Sequence, residues 1–257
     1  MLDISTVRNA LRASSFTTIT HTTQTESTND DASAMMADGS ESGIVLVTEY
    51  QRAGRGRRDR RWIAPAGSAL LCTSILPGSI AAADLWAVPF WCALVVADAI
   101  DSAASLHVDL QWPNDLLIAG RKCCGILCIS RINGEDARVA CGVGLNVLRP
   151  DDEELAELVP PPAFLSDYRR AVSREEILIE LVRAYERRHP ELRDVQAVAR
   201  AWERRAAIAG TPYRILIDGA SETIDALAQG LAPDGSLIIE ANEGTRRVSI
   251  ADARVIR

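Results

Sequence analysis

Seven runs rich in Val, Ile, Leu and Thr, punctuated by Gly, Asn, Asp or Pro, recur along the chain between residues 16 and 147. They read FTTITHT (16–22), GIVLVTEYQ (43–51), SALLCTSIL (68–76), LHVDLQW (106–112), DLLIAG (115–120), CCGILCIS (123–130) and ARVACGVGLNV (137–147). Branched side chains suit a pleated surface and the punctuating residues supply turns, so each run predicts a strand. Between them, Asn29–Ala37 and the largely apolar Ala82–Ala104 predict helices, the second well buried. PNDLLIAGRK reads as a hairpin turning at Ala119–Gly120. The expectation is an α+β domain on a mixed, mostly antiparallel sheet with flanking helices.

The texture changes after Pro150. DDEELAELVPPPAF is acidic and interrupted by proline, as a surface connector is. SREE, Ser173 to Glu176, predicts a capping box that opens a helix through about Arg188. A second helical stretch, 195–209, ends at Gly210. From Thr211 five short strand candidates are separated by the turn sequences DGAS, APDGS and ANEGT. Strands so short and closely spaced predict a small β-barrel packed on the main domain. The domain boundary falls at 209/210, giving 1–209 and 210–257.

Before residue 17 there is one amphipathic stretch, too short for a DNA-reading domain. It lacks the apolar run of a signal peptide, and no segment approaches the ~18 uninterrupted apolar residues of a spanning helix. A cytosolic chain is expected, without DNA or a membrane as partner. Six cysteines, Cys72, Cys92, Cys123, Cys124, Cys128 and Cys141, lie in apolar company and not at ligand spacing. They read as free thiols of a core.

A net charge of −7 argues against a nucleic-acid coat as the main business of the protein. Yet RAGRGRRDRR, Arg52 to Arg61, concentrates six arginines around one aspartate. It satisfies neither the dinucleotide fingerprint, since Asp59 stands where the third glycine belongs, nor the phosphate loop. It reads as a flexible loop, poorly ordered until an anionic ligand orders it; the alternative is a solvated charge run. STND, at 27–30, offers two hydroxyls and an amide at a helix start, which also suits a plain N-cap.

Lys122 is the single lysine among 28 basic residues. Arginine replaces lysine freely on a wet surface but not where a compact, rotatable ammonium is required. The hairpin QWPNDLLIAGRKCCGIL brings Lys122 back to the level of Asn114 and Asp115, which places an amide, a carboxylate and an ammonium at one sheet end. Chemistry at Lys122 is therefore expected, against the alternative of an ordinary turn lysine.

Taken in order, ESTND, TEYQRAGRGRRDRRW, QWPNDLLIAGRKCCGIL and GVGLNV closely resemble the motifs of the biotin protein ligases, in the short form that lacks a DNA-binding domain. The resemblance implies a class II synthetase-like catalytic domain followed by a small SH3-like barrel. It implies that biotin and ATP form biotinyl-5′-adenylate, and that the biotinyl group then passes to a lysine of a biotin carboxyl carrier domain. By motif position, Ser27, Thr28, Asn29 and Gln51 would hold the biotin head group. Gly54, Arg55, Gly56 and Arg57 would fold over it, and Gly125 and Gly142 would allow close backbone approach. Arg57 and Arg58 would face phosphates, Trp62 the adenine, and Asn114, Lys122 and Asn146 the α-phosphate and ribose. Lys122 and Arg57 are the candidate catalytic residues. Asp115 would orient Lys122, and Mg2+ is expected with ATP through ligands the sequence does not name.

Two positions depart from the family pattern. Gln111 stands where the family has lysine before WPND, and Asp59 where its loop has glycine, which puts ATP handling and adenylate retention in question. Alternative readings are a lipoate or octanoyl transferase, a biotin-binding regulator without turnover, and an RNA-binding module using the arginine-glycine stretch. The oligomeric state, monomer or homodimer, is left open.

Overall fold

A computed structural model describes residues 1–16, 18–39, 42–151, 155, 158, 160–217, 223–250 and 253–256. Thr17, part of the acidic connector and the DGAS turn lie outside the described residues.

The main sheet contains β1 (Thr18–Thr22), β2 (Ile44–Thr48), β3 (Ala69–Ile75), β4 (Ile80–Ala81), β5 (Asp109–Gln111), β6 (Asp115–Ile118), β7 (Arg121–Asn133) and β8 (Asp136–Asn146). Its order is β1-β2-β3-β8-β7-β6-β5, with β4 also paired to β8. Only β1 and β2 run parallel; every other pair is antiparallel. The exception follows from connectivity, because helix α2 (Thr28–Ala37) intervenes between β1 and β2 and returns the chain in the same direction. All five residues of β2 and all seven of β3 are buried, which explains why these runs are mostly apolar and do not alternate with charged residues.

Both faces of the sheet are covered. One receives α2, through Ala32, Met36, Ile44, Leu46, Ile75 and Ala140. The other receives α1 (Ile4–Ala10), α3 (Val88–Ala104) and α4 (Arg174–Arg188), where Phe90, Trp91, Tyr185 and the inward residues of β3, β7 and β8 form the larger core. A 3-10 turn, Ala82–Ala87, leads into α3. This apolar stretch, 82–104, is long enough to cross a membrane by composition, but here its residues are mostly buried within the fold. Ser173 caps α4 by accepting the Glu176 N–H at 3.2 Å. The other half of the predicted box differs: the Ser173 hydroxyl donates to Glu175, whose other carboxylate oxygen accepts the Asp3 N–H and so ties down the N-terminal segment.

Helix α5 (Val195–Ala206) leads to a second sheet of β9 (Pro212–Ile217), β10 (Thr223–Leu231), β11 (Leu237–Ala241), β12 (Gly244–Val248) and β13 (Ala253–Ile256). These five strands are all antiparallel, in the order β12-β11-β10-β9-β13. The sheet is anchored to the main body by polar contacts. The Trp112 backbone N–H donates to the Tyr213 hydroxyl at 3.2 Å, its indole N–H to the Gly235 carbonyl at 3.3 Å, and the Leu231 N–H to Glu203 at 2.6 Å. Gly235 lies at φ +78° against Trp86 and Phe90, where a Cβ would approach a ring carbon to 2.6 Å. Only glycine meets both demands.

Candidate active site

Strand alternation sorts the residues of β3, β7 and β8 between the two faces. On the α2 face, Thr73 pairs with Gly142 and Gly142 with Leu127, while Leu71 pairs with Gly144 and Gly144 with Gly125. Three glycines on neighbouring strands leave a groove where side chains would otherwise stand. A Cβ on Gly142 would lie 2.3 Å from Asn29 Oδ1, and one on Gly144 2.6 Å from the Trp62 indole. Both are below any real contact distance, so the close approach of Asn29 and Trp62 requires glycine beneath them.

At one end of the groove is the start of α2. Ser27 occupies the N-cap position in extended geometry but makes no side-chain capping bond. The local sequence thus resolves against a simple cap. Gln51 Oε1 accepts the Thr28 N–H at 2.8 Å and the Thr28 hydroxyl at 3.1 Å. The Thr73 hydroxyl lies 2.8 Å from both Thr28 Oγ1 and Asn29 Oδ1, while Asn29 Nδ2 donates to the Leu127 carbonyl at 3.0 Å. Ser27, Thr28 and Asn29 are buried, so they form a preorganised row of hydroxyl and amide groups along the groove.

The hairpin of β6 and β7 forms the opposite end. It turns at Ala119 and Gly120, both at positive φ, as expected for a two-residue connection. A bulge then shifts the register, with Leu116 opposite Cys124 but Leu117 opposite Lys122. Without it Lys122 would face Ile118 and point to the other side of the sheet. With it, Lys122 shares the face of Asp115, and Lys122 Nζ lies 2.6 Å from Asp115 Oδ1. The same ammonium stands 5.5 Å from the Trp62 ring centroid. Asn114 donates to the Ile126 carbonyl at 2.6 Å and accepts from Arg57 at 3.4 Å.

The arginine loop crosses above the groove as a closed turn. The Trp62 N–H donates to the Gly54 carbonyl at 2.8 Å and the Gly56 N–H to the Arg60 carbonyl at 2.7 Å. Arg58 and Asp59 both adopt left-handed φ, near +57° and +58°. Arg52 pairs with Glu26 at 2.6 Å and Arg55 with Asp30 at 3.0 Å. These acids beside the loop offset the repulsion from which a poorly ordered empty loop was expected. Arg57 also donates to the Ile250 carbonyl of the second sheet.

A cavity of about 130 Å3 joins these parts, lined by Ser27, Thr28, Asn29, Gln51, Arg57 and Lys122 among others. Arg55, Gly56, Arg58, Trp62, Asn114, Gly125 and Gly142 complete the predicted set that reaches it. Two predicted residues do not. Gly54 lines a neighbouring, more open cleft, and buried Asn146 donates to the Ala163 carbonyl at 3.2 Å. Conversely, Thr73, Gly144 and Val255 take part although none was singled out from the sequence. A hydroxyl within the apolar run of β3 was the only visible sign of Thr73; nothing local marks Val255, whose role depends on docking of the second sheet.

Residues 18–146 match the biotin/lipoate A/B protein ligase family. The biotin–[acetyl-CoA-carboxylase] ligase of Paracoccus denitrificans is 34% identical over 239 residues, which cover 89% of this chain and 97% of that protein. The corresponding ligase of Mycobacterium tuberculosis is 31% identical over 91% of this chain and 87% of its own length. Among solved structures, the Aquifex aeolicus biotin protein ligase in complex with biotin and ATP superposes with a TM-score of 0.75 at 20% identity, covering 93% of this chain and 99% of that one. The mostly antiparallel α+β fold is thus the class of architecture seen in biotin protein ligases. The chain belongs to the biotin/lipoate A/B protein ligase family.

Proposed function

We propose that this chain is a biotin–[acetyl-CoA-carboxylase] ligase, in which 1–209 form the catalytic domain and 210–257 a small SH3-like domain that closes one side of the site. The observation that carries the reading is the position of Lys122, paired to Asp115 at 2.6 Å and facing the same cavity as the Ser27, Thr28, Asn29 and Gln51 cluster. The Paracoccus and Mycobacterium relatives, named for this activity, support it.

The ureido ring of biotin offers two N–H donors and a carbonyl acceptor. The hydroxyl and amide row at the start of α2 complements both, and the floor of Gly125 and Gly142 admits the ring to the sheet. The biotin carboxylate then attacks the α-phosphorus of ATP, the bond to the β-phosphate breaks, and pyrophosphate leaves. No side-chain nucleophile is needed, in keeping with three histidines that lie outside the cavity. The barrier is the approach of two anions. An ammonium about 4 Å from each offsets several kcal/mol of that repulsion at an effective dielectric of about 20, most where charge concentrates as the bond forms. Asp115 holds this ammonium in place, while Arg57 and Arg58 face the departing phosphates and Trp62 the adenine. In the second half-reaction the amine of a carrier-domain lysine attacks the acyl carbonyl, forming an amide and releasing AMP.

Mg2+ enters with ATP as its complex. Asp115 is the one carboxylate residue among the described lining of the inner cavity, and its pairing with Lys122 suits orientation better than metal ligation. The acceptor is the carrier domain of a biotin-dependent carboxylase, and the cytoplasm, which holds ATP and such carriers, is the proposed compartment.

The test is incubation of the purified protein with biotin, Mg-ATP and a biotin carboxyl carrier domain, followed by measurement of carrier mass. Addition of one biotinyl group is expected. Modification only when lipoate or octanoate replaces biotin would move the chain to the other branch of its family, and no modification with any acid would overturn the reading.

A further inference from the structure

On the face of the sheet opposite the groove, three cysteines from a helix and two adjacent strands come together. Cys92 projects from α3, Cys128 from β7 and Cys141 from β8, and their sulfurs all lie within 4.8 Å of one another. Register explains the pair on the sheet: Cys128 and Cys141 are direct cross-strand partners, with Sγ atoms 3.6 Å apart. Helix α3 lays the third sulfur over them, and the Tyr185 hydroxyl approaches Cys92 Sγ to 3.6 Å. All three are free thiols; Cys92 and Cys141 are buried and Cys128 is half-buried, which leaves one approach open.

We propose that Cys92, Cys128 and Cys141 form a trithiol site for a trivalent thiophilic ion of the arsenite class. Geometry supports it: trivalent arsenic carries a lone pair and sits at the apex of a pyramid, where three bonds of about 2.3 Å span sulfur–sulfur edges of about 3.5 Å; the Cys128–Cys141 edge is 3.6 Å, and all three sulfurs lie within 4.8 Å of one another, so a small shift of Cys92 completes the site. The donor set contains only sulfur, which selects against hard cations. Charge then chooses among the soft ones. A monovalent or divalent cation held by three thiolates leaves net negative charge inside an apolar core, at a desolvation cost that no cation acting on these thiols among the described residues offsets. Arsenous acid avoids this. Each of its three As–OH bonds is replaced by an As–S bond, each thiol proton leaves with a hydroxide as water, arsenic remains trivalent, and the product is neutral. The site lies outside the proposed nucleotide and biotin cavity, and the proposal does not rest on that assignment.

The experiment adds sodium arsenite to the reduced, folded protein and reads arsenic content by native mass spectrometry, with arsenic X-ray absorption to count sulfur neighbours. One arsenic per chain with three sulfur neighbours is expected, together with a rise in melting temperature, because the ion binds only the assembled site. Cys128→Ser and Cys141→Ala should each weaken binding by at least about 100-fold, while Cys123→Ala, outside the cluster, should leave it unchanged. Should either variant fail to fold, the wild-type sulfur count decides. Fewer than three sulfurs, no retained arsenic, or affinity unaffected by both substitutions would overturn the proposal.

Discussion

Lys122 Nζ lies 2.6 Å from Asp115 Oδ1 because a one-residue bulge between Leu116 and Leu117 turns the lysine to the carboxylate's face of the hairpin. The ammonium is compact, and Gly125 beneath it leaves only 3.2 Å between a hypothetical Cβ and Nζ. A guanidinium is wider and planar and does not fit the same point between two anions. Lys122→Arg is therefore expected to lower the rate of adenylate formation by about 100-fold or more, roughly 3 kcal/mol of barrier, while leaving thermal stability nearly unchanged. Pyrophosphate release measured in single turnover checks this. A variant of wild-type speed would shift the catalytic cation to the loop arginines.

The Trp62 indole N–H is buried and has no hydrogen-bond partner among the described residues. Leaving such a donor unsatisfied costs about 1–3 kcal/mol. Trp62→Phe should accordingly raise the melting temperature of the ligand-free protein, yet weaken ATP binding by removing part of the stacking surface. Calorimetry of both properties separates this from a purely structural tryptophan, which would lose stability on substitution.

Asp59 holds a left-handed φ and adds a negative charge to a loop proposed to face phosphates. Glycine would relieve both. Asp59→Gly is expected to slow dissociation of biotinyl-adenylate several-fold, read as the release rate of labelled adenylate from the preloaded protein. An unchanged rate would leave Asp59 without influence on retention.

Glu49 follows β2 in a buried network. Burial by itself pushes its carboxyl up, but the Leu2 N–H, Arg174 and His21 together hold it down to about 2, from an ordinary 4.5. Arg174 lies 2.8 Å away and His21 2.9 Å. Because the folded value is depressed, this stabilisation is complete above pH 4.5 and is lost as pH falls toward 2, on the order of 3 kcal/mol in all. Urea unfolding of wild type should show that loss between pH 4.5 and 2. Glu49→Gln should be less stable at pH 7 and show a shallower slope across the window, the remainder coming from other depressed carboxyls such as Asp167 and Glu175; an identical slope in the variant would assign the acid sensitivity elsewhere.

Much of this architecture was legible in the sequence. Local chemistry decided it: branched runs made the strands, Ala119–Gly120 turned the hairpin, Ser173 capped α4, and the motifs around Gln51, Asn114 and Lys122 named most of the cavity lining. What stayed hidden were side-chain facings and long-range meetings. No local pattern announces the bulge that aims Lys122, the Thr73 hydroxyl between Thr28 and Asn29, the approach of Ile250 to Arg57, or the convergence of Cys92, Cys128 and Cys141. The physical reason is common to all four. A strand's period of two makes orientation depend on register, register is settled by the pairing of whole strands and not by the neighbours of any one residue, and helices and the second sheet dock only on the surface that pairing creates. The sequence by itself determined which elements form and marked most of the residues proposed for the site; the tertiary structure alone decided which of them face one another.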